Sequence, residues 1–156
     1  MPKFVSYTIQ AHIVSFPENS NEALFLALQR AADSKIYPNL WQVVTGNIEG
    51  GETAIETAIR EIKEETSLKV KNIWTVPYVA NFFNPYKNEI HCSPVFGFEV
   101  EYSEIVKISK EHQSYKWLAF KAILDILQFP SHIEGTKIFN NFVLNEKNIN
   151  ILKYKW

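Results

Sequence analysis

Three glutamates crowd one short stretch of the chain. The segment Thr45–Leu68 contains six glutamates, of which Glu61, Glu64 and Glu65 are spaced i, i+3, i+4. In a helix these three fall within an arc of about 100°, where like charges repel one another. Hard divalent cations such as Mg²⁺ relieve that repulsion, because they bind carboxylate oxygens together with phosphate groups of a substrate. The helical spacing leaves two interpretations open, a cation site for phosphate chemistry and a solvated acidic face, and the wider motif described below decides between them.

A helix over residues 53–66 is predicted to position these carboxylates. Five apolar residues share one face at helical spacing: Ala54, Ile55, Ala58, Ile59 and Ile62. The acidic cluster abuts this face, and Glu65 lies at its border. The preceding loop, "TGNIEGGE", has three glycines, which let backbone approach a ligand closely. We therefore expect Gly46 to lie near the helix and Glu52 to enter at its start, where a carboxylate suits the helix dipole.

This stretch resembles the Nudix box, G-xxxxx-E-xxxxxxx-R-E-U-x-E-E-x-G-U, where U is a bulky apolar residue. The positions in register are Gly46, Glu52, Arg60, Glu61, Ile62, Glu64, Glu65 and Leu68. Ser67 stands where the box has its last glycine. That departure concerns the geometry of the loop after the helix and leaves every charged position intact.

The resemblance implies a fold and an activity. The fold is an α/β/α sandwich with a central mixed β-sheet, here one domain over residues 1–156, as the length also favours. The activity is hydrolysis of a nucleoside diphosphate linked to another moiety, with Mg²⁺ or Mn²⁺ as cofactor. By the same resemblance, Glu61, Glu64 and Glu65 match metal-binding glutamates, and the carbonyl of Gly46 often joins them.

Two further roles follow from the resemblance. Arg60 and Glu52 match the pair that braces the helix. The family often takes another carboxylate from a loop before the last strand, and Glu111 is placed there as a metal ligand or base, or as an ordinary surface glutamate. The predicted catalytic residues are therefore Glu64, Glu61, Arg60 and Glu111.

The rest of the chain reads as an α/β domain. Alternating or buried apolar runs predict strands over 3–16, 23–31, 40–45, 70–83, 89–102 and 115–120. The run 23–31 would also allow a helix by composition. Prolines in the fourth and fifth of these strands suggest a bulge or an edge. Helices are predicted over 121–129, stopped by Pro130, and over 135–147.

Composition narrows the class of protein. The chain is 46% hydrophobic with a formal net charge of −1, which disfavours generic binding to nucleic acid or to an anionic membrane. The single Cys92 excludes an internal disulfide and fits a reducing cytoplasm. The four histidines lack zinc-ligand spacing. We expect a cytoplasmic protein, monomeric or homodimeric, that acts on a small molecule.

The flanking segments "LWQVVTGNIEGGETA" and "EHQSYKWL" look like the bacterial Nudix branch that cleaves dihydroneopterin triphosphate and dATP. A triphosphate with a planar ring, cleaved to the monophosphate and pyrophosphate, is therefore expected. The alternatives are a diadenosine polyphosphate or nucleotide-sugar hydrolase and a catalytically silent nucleotide-binding module. Candidate substrate contacts are Trp41, Phe82 and Phe83 for the ring, with Tyr86 beside them, and Arg30, Lys35 or Lys87 for phosphates. Because the chain is rich in aromatic residues throughout, core or surface packing is the default explanation for each of these aromatics, and a ring contact is the alternative.

Overall fold

The computed structural model describes all residues of the chain, 1–156. Eight strands form its single sheet. The strands are β1 (Lys3–Val5), β2 (Thr8–Ser15), β3 (Leu24–Arg30), β4 (Trp41–Gln42), β5 (Val44–Asn47), β6 (Val70–Asn84), β7 (Glu89–Val100) and β8 (His112–Ala119). The helices are α1 (Ala54–Thr66), α2 (Phe120–Ile126) and α3 (Pro130–Ile138), and α3 continues into a π-helical turn (Phe139–Val143). No helix has the length and apolar character needed to span a membrane.

The sheet is mixed, with β7 near its centre. One edge of β7 pairs antiparallel with β6, and the other pairs parallel with β1 and then with β2. The first half of β2 pairs antiparallel with β5, and its last two residues pair with β3. Strand β3 also pairs with β4 and β8. This fork in the sheet brings β5, which leads into α1, beside β2.

Helices cover both faces of the sheet. Alternate residues of β2, among them Ile9 and Ile13, pack with Ile62 of α1 in one buried cluster. Val14 points to the other face and packs with Phe139 in a second cluster beneath α2 and α3. Two apolar layers, one on each side of the strands, make an α/β/α sandwich, so the predicted fold class is confirmed.

Two predicted strands are each divided in the structure. The strand predicted over 3–16 is interrupted between Val5 and Thr8, because its two parts pair with different stretches of β7, before and after Pro94. The strand predicted over 40–45 changes partner from β3 to β2 and runs on to Asn47. The bulge predicted at the prolines is confirmed, since the register between β6 and β7 shifts on the segment that contains Pro77 and resumes at Pro94.

The boundaries predicted near the end of the chain were wrong. Strand β8 begins at His112, three residues earlier than predicted, and α2 already ends at Ile126. Pro130 does not stop α2 but is the first residue of α3, where its missing N–H and restricted φ are favourable. The helix predicted over 135–147 therefore begins at Pro130 and, with its π-helical turn, ends at Val143.

Helix α1 has well-defined ends. Thr53 and Glu56 form a capping box, in which Glu56 N donates to Thr53 Oγ1 (3.3 Å) and Thr53 N donates to Glu56 Oε2 (2.8 Å). After Thr66, Ser67 adopts φ 56° and ψ 17° and donates its N–H to the carbonyl of Lys63. Ser67 therefore adopts the left-handed conformation that glycine usually supplies at the C-terminus of a helix. The turn after α1 is thus kept although serine replaces the glycine of the box.

We expect Ser67→Gly to raise the free energy of unfolding by about 1 kcal/mol, because glycine adopts a positive φ without the penalty borne by a side chain. Urea unfolding of the two proteins would measure the change. Ser67→Ala, which keeps a Cβ at the same φ, should show no such gain. A stabilisation as large in the alanine variant would contradict this explanation.

Candidate active site

A bidentate ion pair joins the loop before α1 to the helix itself. Arg60 Nε donates to Glu52 Oε1 (2.7 Å) and Arg60 Nη2 to Glu52 Oε2 (3.0 Å). Arg60 Nη2 also donates to the carbonyl of Asn47 (3.1 Å), and Thr57 Oγ1 donates to Glu52 Oε2 (2.8 Å). The hydrogen bonds from Arg60, followed by that from Thr57, lower the pKa of Glu52 to about 2. Arg60 therefore ties the glycine-rich loop to the first turns of α1.

The same arginine contacts two glutamates of the acidic cluster. Arg60 Nη1 donates to Glu61 Oε1 (2.8 Å) and to Glu64 Oε2 (3.3 Å). Burial nevertheless raises the pKa of Glu61 above its usual value, because its desolvation outweighs the effect of the arginine. Glu64 is the open member of the cluster, with 58% of its side chain exposed. The helix thus presents one partly desolvated and one solvated carboxylate on the same side.

Glu65 is the buried member of the cluster. Only 5% of the residue is exposed, and its Oε2 has no hydrogen-bond partner. Burial, followed by the negative charges of Glu61 and Glu111, raises the pKa of Glu65 to about 9. A buried carboxyl without partners is costly as an anion, so this position holds a proton at neutral pH unless a cation replaces it.

Gly46 and Glu111 approach the cluster from outside α1. Gly46 lies in β5, and a Cβ added there would collide with the carboxylate end of Glu61, so the glycine backbone lies directly against that side chain. Glu111 is an exposed residue just before β8, and its charge raises the pKa of both Glu61 and Glu65. The structure therefore places Gly46 against Glu61, and Glu111 close enough for its charge to act on two of the helical glutamates.

The donor set fits a divalent cation, although the carboxylates do not surround a common point as they stand. Arg60 Nη1 instead binds Glu61 and Glu64. Carboxylates are the ligands that hard cations prefer, and the unpartnered Oε2 of Glu65 is an oxygen whose burial a cation would compensate. Glu61, Glu64 and Glu65 lie on adjacent turns of one helix, whereas Gly46 and Glu111 reach the cluster from β5 and from the loop before β8.

A cavity of about 600 Å³ lies between β2, β6 and the start of α3. Arg30 and Phe82, two of the predicted substrate contacts, line it. Trp41 and Phe83 do not: Lys116 Nζ lies over the Trp41 ring, 4.9 Å from its centroid, and Phe83 is an exposed residue. The volume is in the range of small-molecule sites.

Two polar residues that the sequence did not single out connect the cavity to the cluster. Gln42 lines the cavity, and its Nε2 lies 3.2 Å from His112 Nε2. His112 Nε2 in turn lies 3.9 Å from Glu65 Oε2. Burial lowers the pKa of His112 to about 4, and the positive charge of Arg30 adds to this shift. The only available signal was position, since His112 directly follows Glu111 in the segment "EHQSYKWL".

Comparisons with known proteins identify the family and several similar proteins. A family model of the NUDIX domain matches residues 8–141. The chain is similar to a dihydroneopterin triphosphate diphosphatase from Haemophilus influenzae, with 31% identity over 142 residues that cover 82% of this chain and 85% of that protein. It is also similar to the asymmetrical bis(5'-nucleosyl)-tetraphosphatase of Mus musculus, with 26% identity over 115 residues that cover 72% and 76% of the two chains. Among solved structures, a NUDIX hydrolase from Listeria monocytogenes shares the fold, with a TM-score of 0.71 and 22% identity over 96% of this chain and 99% of that one.

Proposed function

This chain belongs to the Nudix family and is a phosphoanhydride hydrolase, and we propose that its substrate is a triphosphate carrying a planar ring, of the dihydroneopterin triphosphate or dATP type, which it cleaves to the monophosphate and pyrophosphate. The observation that carries this proposal is the cavity lined by Arg30 and Gln42, which is linked to Glu65 through the side chains of Gln42 and His112. A ring in the cavity would leave a phosphate chain to extend past Arg30 toward the acidic cluster. The similarity to the Haemophilus diphosphatase supports the same substrate class.

Nudix enzymes generally use divalent metal ions, and we propose Mg²⁺, with Mn²⁺ as a substitute. The ligands would be Glu61, Glu64, Glu65, Glu111 and the carbonyl of Gly46. When bound, the cation would offset the charge that develops on the phosphates and lower the pKa of the attacking water. Arg60 contributes indirectly, because its pairing with Glu52 holds the loop against the helix.

Hydrolysis needs an acceptor for the proton of the attacking water, and a side chain of this protein supplies it. The oxygen of a water molecule bonds to phosphorus, the bond from that phosphorus to the bridging oxygen breaks, and pyrophosphate leaves with the bridging oxygen. A carboxylate accepts the proton of the attacking water. Glu64 suits this role because its side chain is open to solvent, and Glu111, also exposed beside the cluster, is the second candidate.

Hydrolysis of dinucleoside polyphosphates is a second candidate function, which the similarity to the mouse tetraphosphatase favours. Such a substrate carries two nucleosides, so it needs a second site besides the one that this cavity provides. A catalytically silent nucleotide-binding module is less consistent with the chain, because every charged position of the box is present.

A substrate comparison tests the proposal. We expect kcat/KM to be highest for dihydroneopterin triphosphate or dATP among a set that also includes the other deoxynucleoside triphosphates, diadenosine tetraphosphate and ADP-ribose, with products resolved by chromatography. A preference above about tenfold, or about 1.4 kcal/mol in transition-state binding, for either of the last two would overturn the assigned substrate class. Release of single orthophosphates would contradict the proposed cleavage position.

A further inference from the structure

On the basis of the function proposed above, we propose that the cavity is the ring-binding subsite, in which His132 and Gln10 hydrogen-bond an amino-substituted nitrogen heterocycle. Both residues line the cavity, and they are 5% and 3% exposed, respectively. Neither belongs to the box or to the acidic cluster. Each carries a hydrogen-bonding group that the protein itself leaves without a partner.

His132 lies in the first turn of α3, directly under the cavity. Neither of its ring nitrogens makes a hydrogen bond within the protein, and Nδ1 is completely buried. Buried polar groups in folded proteins are nearly always paired. Because Nδ1 is closed to solvent, Nε2 is the ring nitrogen that remains for a ligand in the cavity. Burial lowers the pKa of His132 to about 4, and the neutral ring offers one donor and one acceptor.

The orientation of Gln10 follows from its neighbours. Its amide faces the carbonyl of Ser131 at 3.0 Å, and because a carbonyl only accepts, the group that faces it is the NH₂. The same NH₂ lies 2.7 Å from His12 Nε2, which therefore accepts. His12 Nδ1 then donates to Thr136 Oγ1 (3.1 Å), whose hydroxyl donates to the carbonyl of His132 (2.8 Å). With both of its N–H groups used, Gln10 has only Oε1 to offer to a ligand, as an acceptor.

A glycine in α3 makes this arrangement possible. A Cβ at Gly135 would lie 2.6 Å from both Gln10 Nε2 and His12 Nε2, closer than side-chain contacts allow. Gly135 therefore lets α3 approach β2 and hold the network beneath the cavity. The network keeps the Gln10 acceptor in one orientation, so an exocyclic amine on a ligand ring would find a partner that is already positioned.

Aromatic side chains flank this polar floor. The Phe129 ring packs edge-to-face against Tyr37, with centroids 5.0 Å apart, and against His132, with centroids 5.1 Å apart. Phe82 contributes from β6 on another wall of the cavity. Flat ring systems gain from stacking on such surfaces. The combination of aromatic walls and a fixed acceptor matches a planar heterocycle with an N–H donor, a property shared by pterin and adenine rings.

Nuclear magnetic resonance titrations with unphosphorylated rings test the subsite without hydrolysis. In EDTA, neopterin or deoxyadenosine should cause saturable shifts of the amide signals of Asn81, Phe82, Ser131 and His132. The compound that binds with the higher affinity identifies the preferred ring. Where deoxyadenosine binds, purine deoxyriboside, which lacks only the amine, should bind at least about tenfold more weakly. Shifts located elsewhere, no binding of either amino-substituted ring at millimolar concentration, or equal binding of the two purines would overturn the proposal.

Variants add a second measurement. His132→Leu should weaken binding of the preferred ring at least about tenfold. Phe82→Leu should do the same, and it changes an exposed side chain that stacks on His91. Phe142→Leu removes a similarly exposed aromatic outside the cavity and should leave ring binding unchanged. Unaltered affinity in both test variants would count against the subsite. Ring binding without cleavage of any triphosphate would refute only the proposed function, and cleavage without ring binding would refute only the subsite.

Discussion

Glu64→Gln is expected to lower kcat by about 10²–10⁴-fold, the usual contribution of a general base, while the fold stays intact. The substitution keeps the shape of the side chain but removes a negative charge from the cation cluster and the proposed proton acceptor. The Glu64 carboxylate accepts a hydrogen bond only from Arg60 Nη1, at 3.3 Å, in an exposed ion pair whose loss costs less than about 1 kcal/mol. The measurement is kcat at saturating Mg²⁺ with the preferred triphosphate, beside a thermal unfolding curve.

Glu56→Gln is the matched control on the same helix. Glu56 takes part in the capping box with Thr53, and glutamine is also accepted at that place, so both kcat and melting temperature should stay close to those of the wild type. If Glu64→Gln retained more than about a tenth of the wild-type kcat, the acidic cluster would not be the reaction centre.

The acidic cluster was predictable because its geometry is local. The positions of Glu61, Glu64 and Glu65 on one helix follow from periodicity alone, and the ion pair of Arg60 with Glu52 needs only the loop that joins them. The fold class was equally accessible, since alternating apolar residues determine which side of each strand is buried. Local patterns therefore predicted the fold class and the placement of the three glutamates on one side of α1.

The cavity could not be predicted in the same way. Four residues that line the cavity come from separate parts of the chain: Gln10, Arg30, Gln42 and His132. They meet because the sheet forks at β2, which pairs with both β3 and β5, and because α3 packs beneath it. From the sequence, aromatic residues were selected as ring contacts by residue type alone. In the structure Phe82 lines the cavity and Trp41 does not. Residue type cannot distinguish a ring wall from ordinary packing, because that depends on long-range pairing.

The second expected result concerns stability and pH. In EDTA, the free energy of unfolding should fall as pH rises from 7 to 9. The pKa of Glu65 is raised from 4.5 to about 9 in the folded protein, so in this range the folded state keeps a proton that the unfolded chain has released. Stability must then decrease with pH, by up to about 1.4 kcal/mol per pH unit for one proton. The stabilising contribution is complete below the unfolded pKa and is lost as pH passes through the folded value.

The window above pH 7 excludes the histidines. Burial lowers the pKa values of His12, His112 and His132, and their effects on stability, of the opposite sign, are confined to lower pH. Urea unfolding at several pH values would measure the slope, and Glu65→Gln should flatten it because the amide does not titrate. Adding Mg²⁺ should raise the melting temperature more at pH 9 than at pH 7, since a cation that binds the folded state competes with the proton. NaCl at matched ionic strength controls for screening, and a slope equally steep in Glu65→Gln would show that another group is responsible.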